Sequence, residues 1–212
     1  DKHLSDRIKK LSESQTIAMA RRSRELQAEG IDVISLSLGE PDLNAPEHVK
    51  EAAKKAIDEN WSHYPPVAGY PELRKAISEK FKRQNGLDYT PEQVLVSTGA
   101  KQSLANVILS LVDPDDEVII LAPYWVSYLE LVKLADGKAK FITAGIDTDF
   151  KSSAEELEEA INEDTKLIIF SSPSNPTGTY YNKEELKGFA QVIARHPNVF
   201  AISDEIYEHI NF

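Results

Sequence analysis

Two apolar segments of the chain each end in a short cluster of polar residues. Residues 167–170 are followed by the cluster SPSNPTG at 172–178, and residues 199–202 are followed by the cluster SDEIY at 203–207. In open α/β sheets, ligands bind in the crevice at the carboxyl ends of the strands. We therefore expect the two clusters to face one crevice, and we predict an active site there.

The second cluster contains a carboxylate that is suited to binding a cationic ring. Asp204 ends the apolar segment, and Tyr207 follows three residues later. A carboxylate at the ligand end of a sheet can hold a protonated heterocycle, whereas the plain alternative is an aspartate that caps a helix or faces solvent. In the first cluster, Asn175 either points its amide into the crevice or belongs to a simple turn, which an Asn-Pro sequence favours.

A third candidate is the sequence VLVSTGAKQ at residues 94–102, which reads as a strand, a turn of small residues and the start of a helix. The free N–H groups of such a turn, together with the helix dipole, bind phosphate, but a turn with Gly99 as its one glycine also fits an ordinary tight turn. Lys101 favours the phosphate site, because a cation in the first turn of a helix opposes the macrodipole unless an anion lies there. The fingerprint GxGxxG is absent, which disfavours NAD.

An aromatic residue follows another apolar strand. The sequence APYW at residues 122–125 places the indole of Trp125 beside the end of that strand. Tryptophan is more common in cores than in ligand platforms. Trp125 follows the end of a strand, as the polar clusters do, and this position raises the probability of a ligand platform relative to a core residue.

The composition disfavours several classes of partner. The 212 residues include 24 Lys and Arg against 35 Asp and Glu, a formal net charge of -11, and both signs are interspersed along helical stretches. We therefore expect neither a nucleic acid nor an anionic membrane as a partner. No apolar run approaches the roughly 20 residues of a membrane span, and residues 1–7 lack the apolar part of a signal peptide. These features predict a cytoplasmic protein.

Residues that commonly bind metals are sparse. The chain has no cysteine, which removes disulfides, thiolate ligands and a cysteine nucleophile. Its five histidines show neither HxH nor HExxH spacing. We therefore expect no metal site.

The elements that must position these clusters alternate between helix and strand after about residue 45. Apolar periodicity predicts helices over residues 17–28, 46–59, 71–84, 101–111, 125–134, 153–161 and 182–194. It predicts strands over residues 94–97, 117–121, 140–143, 166–170 and 199–202. Near-continuous apolar strands separated by helices indicate an α/β fold with a largely parallel sheet covered on both faces. We assign residues 1–45 to an N-terminal arm and part of a small domain, and residues 46–212 to an incomplete large cofactor-binding domain.

Six motifs, taken together and in this order, resemble the class I pyridoxal-phosphate aminotransferases. They are LGEPD at 38–42, YPPVAG at 64–69, STGAKQ at 97–102, PYW at 123–125, NPTG at 175–178 and DEIY at 204–207. Each motif alone is weak, but six in the family's order are specific, and the resemblance spans essentially the whole chain. The most similar branch is the bacterial aspartate aminotransferases, some of which also use prephenate. The resemblance implies the pyridoxal-phosphate-dependent transferase fold, with part of a smaller N-terminal unit.

For the cofactor, pyridoxal 5'-phosphate, the resemblance implies a phosphate site and a stacking platform. Gly99, Ala100 and Lys101 match the phosphate-binding turn. Trp125 matches an indole that stacks on the cofactor ring. Tyr64 matches a tyrosine that reaches the phosphate across a homodimer interface, so the resemblance also implies a homodimer.

The resemblance implies further residues around the cofactor ring. Asn175 and Tyr207 match hydrogen-bond donors to the ring hydroxyl, and Asp204 matches the carboxylate paired with the pyridine nitrogen. Together with Trp125, these three residues form the catalytic set that we expect. The chemistry agrees, because a pyridine ring is an electron sink only while an anion keeps its nitrogen protonated.

The implied activity is transamination between aspartate or glutamate and a 2-oxo acid such as 2-oxoglutarate, with prephenate as a further substrate. In the bacterial branch, Ser14, Thr16 and Lys101 match groups near the distal carboxylate of the substrate, which indicates a dicarboxylic substrate. The backbone of Gly39 matches a contact to the α-carboxylate. The remaining residues expected beside the substrate are Trp125 and Asn175.

The resemblance has one gap. Members of the family place the Schiff-base lysine and two anion-binding arginines beyond the last of the six motifs, and no residue of this chain matches them. We therefore expect the chain to be the front part of a longer protein. Two alternatives stay open. The first is another enzyme of the same fold, such as an aromatic or other aminotransferase or a carbon–sulfur lyase. The second is a noncatalytic aminotransferase-like module or an inactive fragment.

Overall fold

The structure is a computed structural model that describes residues 2–36, 38–39 and 43–210. The chain divides into two compact units, one of residues 1–14 with 98–212 and the other of residues 15–97. The sequence predicts a domain boundary of the complete protein at residue 45, and this boundary stays a prediction.

The unit of residues 15–97 is helical. Its helices are α2 (Gln15–Ala28), α3 (Glu47–Asp58) and α4 (Pro71–Lys80), and the last continues into a π-helical turn over Phe81–Asn85. A short 3-10 helix follows at Pro91–Gln93. Pro71 occupies the first turn of α4, where its missing N–H costs no helical hydrogen bond.

The strand predicted over residues 94–97 is wrong. This segment lies beside a loop instead of another strand: the Val96 N–H donates to the Ala68 carbonyl at 3.0 Å. The loop comes so close that a Cβ atom on Gly69 would lie 2.8 Å from Cβ of Val96. The apolar pattern predicted an extended backbone, but a strand also needs a neighbouring strand.

The other unit contains a parallel sheet of four strands. The strands are β1 (Glu117–Ala122), β2 (Lys138–Thr143), β3 (Thr165–Ser171) and β4 (Phe200–Asp204). Their order in the sheet is β2-β1-β3-β4, and all neighbouring pairs are parallel. The α/β class and the parallel sheet predicted from the sequence are confirmed.

Helices precede and connect these strands. The unit contains α1 (Asp6–Lys9), α5 (Ala100–Leu111), α6 (Ser127–Leu134), α7 (Ala154–Ala160) and α8 (Lys183–Arg195). A capping box begins α8, in which the Asn182 side chain accepts from the Glu184 and Glu185 N–H groups and the Glu185 side chain accepts from the Asn182 N–H. The spacing of these residues predicted that helix start.

Successive side chains of the central strands enter two different cores. From β1, Val118 and Ile120 pack in a core with residues of α5 and α6, whereas Ile119 and Leu121 pack in a second core with residues of α7 and α8. Side chains of a strand alternate between the two faces of the sheet. Both faces of the sheet are therefore covered, which fixes the strand ends that carry the polar clusters.

The described residues contain neither a candidate membrane span nor a candidate metal site. No helix in this part of the chain combines the length and apolar composition needed to cross a membrane. In the same residues, no group of three or more His, Cys, Asp or Glu side chains lies close enough together to hold a metal ion.

The second core generates a prediction about stability. Leu157 of α7 is fully buried, whereas Leu186 of α8 is 36% exposed. We expect Leu157→Ala to lower the free energy of unfolding of the complete protein by about 2–5 kcal/mol, because it removes buried methyl groups and leaves a cavity. Leu186→Ala is the matched control, with an expected loss of no more than about 1 kcal/mol. Equal denaturant midpoints for the two variants would contradict this description of the core.

Candidate active site

The polar clusters at 172–178 and 203–207 lie at the carboxyl ends of two strands, on the same side of the sheet. Strands β3 and β4 are parallel neighbours, and their register places Ser171 opposite Asp204. The Ser172 N–H donates to the Asp204 carbonyl at 3.2 Å. The ends of two adjacent parallel strands therefore carry the two sets of side chains together.

The carboxylate of Asp204 is held by two hydrogen bonds. The hydroxyl of Tyr128 donates to Oδ2 at 2.7 Å, and the backbone N–H of Ile206 donates to Oδ1 at 3.3 Å. Tyr128 lies in α6 and is 1% exposed, whereas Asp204 is partly accessible. The two bonds restrict the orientation of the carboxylate while leaving part of it open to a ligand.

The hydroxyl of Tyr128 is a dependable donor. Burial and the hydrogen bond to Asp204 raise the pKa of Tyr128 far above its ordinary value. The hydroxyl therefore keeps its proton at every physiological pH. Since Asp204 is its acceptor, the direction of this hydrogen bond is fixed.

Asn175 and Tyr207 form a second pair at the same edge. Nδ2 of Asn175 donates to the Tyr207 hydroxyl oxygen at 3.0 Å, and both side chains are partly buried. The peptide bond between Asn175 and Pro176 is cis. Because the tyrosine oxygen accepts from Asn175, its own proton is free to point toward another acceptor.

Trp125 and Lys101 are in contact. Trp125 follows β1 and precedes α6, and its ring meets the ring of Tyr128 edge to face, with centroids 5.7 Å apart. Nζ of Lys101 lies over the indole at 4.9 Å from the centroid, within the range of a cation–π interaction. A cation thus lies beside the aromatic platform that the sequence singles out.

The start of α5 differs from the starts of α7 and α8. Gly99 precedes it with φ +84°, a left-handed value that favours glycine. Among the described residues, no side chain caps α5 and its first turn contains no acidic residue. By contrast, α7 and α8 each begin with a capping box and two glutamates. Among the described residues, the first turn of α5 therefore supplies no negative charge of its own to the positive end of the helix dipole.

The contacts described above do not include four of the predicted site residues. Gly39, Thr16 and Tyr64 belong to the unit of residues 15–97, in which Gly39 is exposed, Thr16 is partly buried and Tyr64 is fully exposed. Ser14 ends the first segment of the sheet-containing unit and is partly buried. Residues 40–42, which complete the motif around Gly39, lie outside the described residues. The roles of these four residues stay predictions.

Sequence reasoning missed Tyr128. The residue follows Trp125 by three positions, and positions three apart share a helix face. A tyrosine on the buried face of a helix also needs a partner for its hydroxyl. Those two signals mark Tyr128 as a residue to examine, but its acceptor, Asp204, lies far away in the sequence and is visible only in the fold.

The chain matches the family model described as aminotransferase class I and II over residues 31–212. An aspartate/prephenate aminotransferase from Cereibacter sphaeroides is 52% identical over 209 residues, which are 99% of this chain and 52% of that protein. The chain spans about half the length of the curated relatives that it matches.

Solved structures are also similar. The crystal structure of the aspartate aminotransferase from Rhizobium meliloti is 41% identical with a TM-score of 0.95, and the match covers 99% of this chain and 52% of that chain. The aspartate aminotransferase from Thermus thermophilus with maleate is 44% identical with a TM-score of 0.95, and the match covers 99% and 55% respectively.

Removal of the Tyr128 hydroxyl tests whether it positions Asp204. We expect Tyr128→Phe to weaken binding of pyridoxal 5'-phosphate to the complete protein by about tenfold, because a charge-assisted hydrogen bond worth ~1.5 kcal/mol no longer orients the carboxylate. Fluorescence titration of the apoprotein with the cofactor measures this.

The matched control is Tyr181→Phe. Tyr181 is also buried, and its hydroxyl accepts from the Ser152 N–H in the other core. We expect it to lower thermal stability without changing cofactor affinity. Equal cofactor affinities in the two variants would show that Tyr128 is only a core residue.

Proposed function

We propose that this chain, which belongs to the aminotransferase class I and II family, is part of a pyridoxal-phosphate-dependent enzyme that exchanges amino groups between dicarboxylic amino acids and 2-oxo acids. The observation that carries the proposal is the carboxylate of Asp204, held at a strand end by Tyr128 beside the pair of Asn175 and Tyr207. The family implies the cofactor, and the names of the relatives support the reaction.

The donors and acceptors at the strand ends fit the ring of the cofactor. A pyridinium ring needs an anion at its nitrogen, which Asp204 can supply. Its ring hydroxyl needs a donor, and the proton of Tyr207 is free because its oxygen accepts from Asn175. Trp125 offers an aromatic face at the same edge. Each polar atom of the ring thus has a complementary group among these four residues.

The start of α5 fits the phosphate group. It presents N–H groups and the positive end of a helix dipole, with no side-chain cap among the described residues, and such helix ends bind phosphate. Lys101 adds a positive charge in the first turn. We assign the phosphate to Gly99, Ala100 and Lys101.

The role of Asp204 follows from the chemistry of the cofactor. When bound, pyridoxal phosphate takes up the electron pair that remains on the substrate Cα after its proton is removed. Asp204 holds a proton on the ring nitrogen, since a nearby negative charge favours the protonated form. Tyr128 orients Asp204, Trp125 restrains the plane of the ring, and Asn175 with Tyr207 fixes the ring hydroxyl.

The substrate class rests on a second carboxylate. Aspartate, glutamate, 2-oxoglutarate and prephenate each carry one, and we assign Lys101, Ser14 and Thr16 to it and the backbone of Gly39 to the α-carboxylate. The Thermus thermophilus aspartate aminotransferase with maleate, itself a dicarboxylate, supports this class, and the name of the Cereibacter sphaeroides relative supports prephenate.

We also propose that the complete protein is a homodimer. Tyr64 and Val67 lie close together in the sequence and are almost fully exposed, and an apolar surface of this kind is typical of a contact site. A partner copy covering Tyr64 would bring its hydroxyl to the phosphate. Location in the cytoplasm stays a prediction from the sequence, and none of the observations on the described residues favours the lyase or the noncatalytic alternatives.

Asp204→Asn tests the proposed reaction. The amide keeps the size of the side chain, but it donates to an unprotonated ring nitrogen instead of holding a proton there. We expect kcat for aspartate and 2-oxoglutarate to fall by on the order of 100-fold or more, while the cofactor still binds and the thermal midpoint changes little.

The control for this variant is Glu205→Gln, an isosteric change at the neighbouring exposed carboxylate. We expect it to leave kcat within a few-fold of the wild type. A folded, cofactor-loaded Asp204→Asn variant with similar turnover would show that Asp204 does not have the assigned role.

Lys101→Ala tests the substrate class. We expect the loss in kcat/KM for aspartate to exceed the loss for alanine by the equivalent of about 1–3 kcal/mol, because only aspartate loses a charged hydrogen bond. Lys187→Ala, at an exposed lysine of α8, is the control for loss of a positive charge. Equal losses for the two amino acids would assign Lys101 to the phosphate alone.

A further inference from the structure

The segment before α2 is attached to α6 and to the turn that follows α6 by three polar contacts. Nε of Arg7 lies 3.1 Å from Oδ2 of Asp136, and Nζ of Lys10 lies 2.9 Å from Oδ1 of the same carboxylate. The backbone N–H of Ser12 donates to Oε2 of Glu130 at 2.8 Å. We call these five residues the N-terminal anchor.

Polar contacts dominate the attachment. Leu4 and Ile8 remain 48% and 45% exposed, whereas Leu11, between Lys10 and Ser12, is partly buried. Apart from Leu11, the segment buries little apolar surface, and the hydrophobic effect gives it limited stabilisation. Its position depends mainly on the two carboxylates that it meets.

Asp136 is arranged to receive both cations. Each of its oxygens meets a different cation, and its side chain is 22% exposed against 54% for Arg7 and 59% for Lys10. Hydrogen bonds from Lys10 and then Arg7 lower the pKa of Asp136. The residue is at φ +60° in the turn that follows α6, where its N–H donates to the Lys133 carbonyl at 3.1 Å.

The same helix carries the residue that orients Asp204. Within α6, Glu130 faces the N-terminal segment, whereas Tyr128 is buried and donates to Asp204. The anchor therefore attaches the segment to the element that positions the candidate site. Ser14 follows the anchored Ser12 by two residues, which span at most ~7 Å of extended chain.

We propose that the N-terminal anchor positions Ser14 for the distal carboxylate of the substrate, so that Asp136 and Glu130 are specificity-determining residues that never touch the substrate. This inference rests on the proposed function for its substrate. Without the anchor the segment leaves α6, and the distal carboxylate loses a hydrogen-bond donor. The substrate's α-carboxylate and the cofactor are unaffected.

Asp136→Asn in the complete protein tests whether the anchor exists. We expect amide hydrogen exchange over residues 6–12 to become about three- to tenfold faster, since two exposed ion pairs on one carboxylate are lost. Raising the ionic strength to about 1 M should produce a similar increase in the wild type. The double variant Arg7→Gln and Lys10→Gln removes the two cations instead of the carboxylate and should accelerate exchange over residues 6–12 to the same extent. Combining it with Asp136→Asn should give no further acceleration.

The matched control is Asp115→Asn. Asp115 is also an aspartate with a positive φ, it lies in the turn before β1, and it pairs with Lys138 at 2.9 Å. Asparagine tolerates this backbone conformation at both positions. We expect Asp115→Asn to leave exchange over residues 6–12 unchanged. Equal exchange in the wild type and the Asp136→Asn variant would overturn the anchor.

Steady-state kinetics of the cofactor-loaded enzymes test the role of Ser14. We expect Asp136→Asn to raise KM for aspartate by about three- to tenfold, with kcat nearly unchanged and KM for alanine unchanged. Faster exchange with an unaltered preference for aspartate would overturn the positioning role. If the wild type transaminated neither amino acid, the proposed function would fail and the role of Ser14 with it, whereas the exchange data would still decide whether the anchor exists.

Discussion

The candidate site depends on a carboxylate at the end of a parallel strand, and a buried hydrogen-bond donor orients this carboxylate. Asp204 could rotate freely at a strand end, but the hydroxyl of Tyr128 and the Ile206 N–H each hold one of its oxygens. Tyr128 is itself fixed, because it is buried and packs edge to face with Trp125. Tyr128 therefore contacts both Trp125, through its ring, and the carboxylate of Asp204, through its hydroxyl. A flat cationic ring needs an aromatic face and a carboxylate together.

The sheet provides the rigidity that this arrangement requires. The inner strands β1 and β3 are buried on both faces, and their residues alternate between two apolar cores. Such strands cannot shift by one residue without moving apolar side chains into the wrong core. The residues that follow them, including Asn175 and Trp125, therefore begin from strand ends that the two cores hold in place.

Much of this architecture can be predicted from the sequence because it depends on local patterns. Four of the five predicted strands form, and the pair of Asn182 and Glu185 begins α8 as its spacing indicates. The strand at 94–97 fails, because an apolar run does not reveal whether a neighbouring strand exists. The sequence predicts Asp204, Asn175 and Trp125 as site residues because they are polar or aromatic residues at strand ends, and parallel strands bring their carboxyl ends to one side of the sheet. The partnership of Tyr128 with Asp204, and that of Arg7 with Asp136, joins residues far apart in the sequence, and no local pattern specifies such pairs.

In the proposed function, Asp204 keeps the ring nitrogen of pyridoxal phosphate protonated. Nitrogen NMR of the complete protein loaded with cofactor that is labelled at the ring nitrogen measures the protonation state directly. We predict a protonated nitrogen in the wild type from neutral to mildly alkaline pH, and an unprotonated nitrogen in Asp204→Asn. An unprotonated nitrogen in the wild type, or the same chemical shift in both proteins, would contradict this claim.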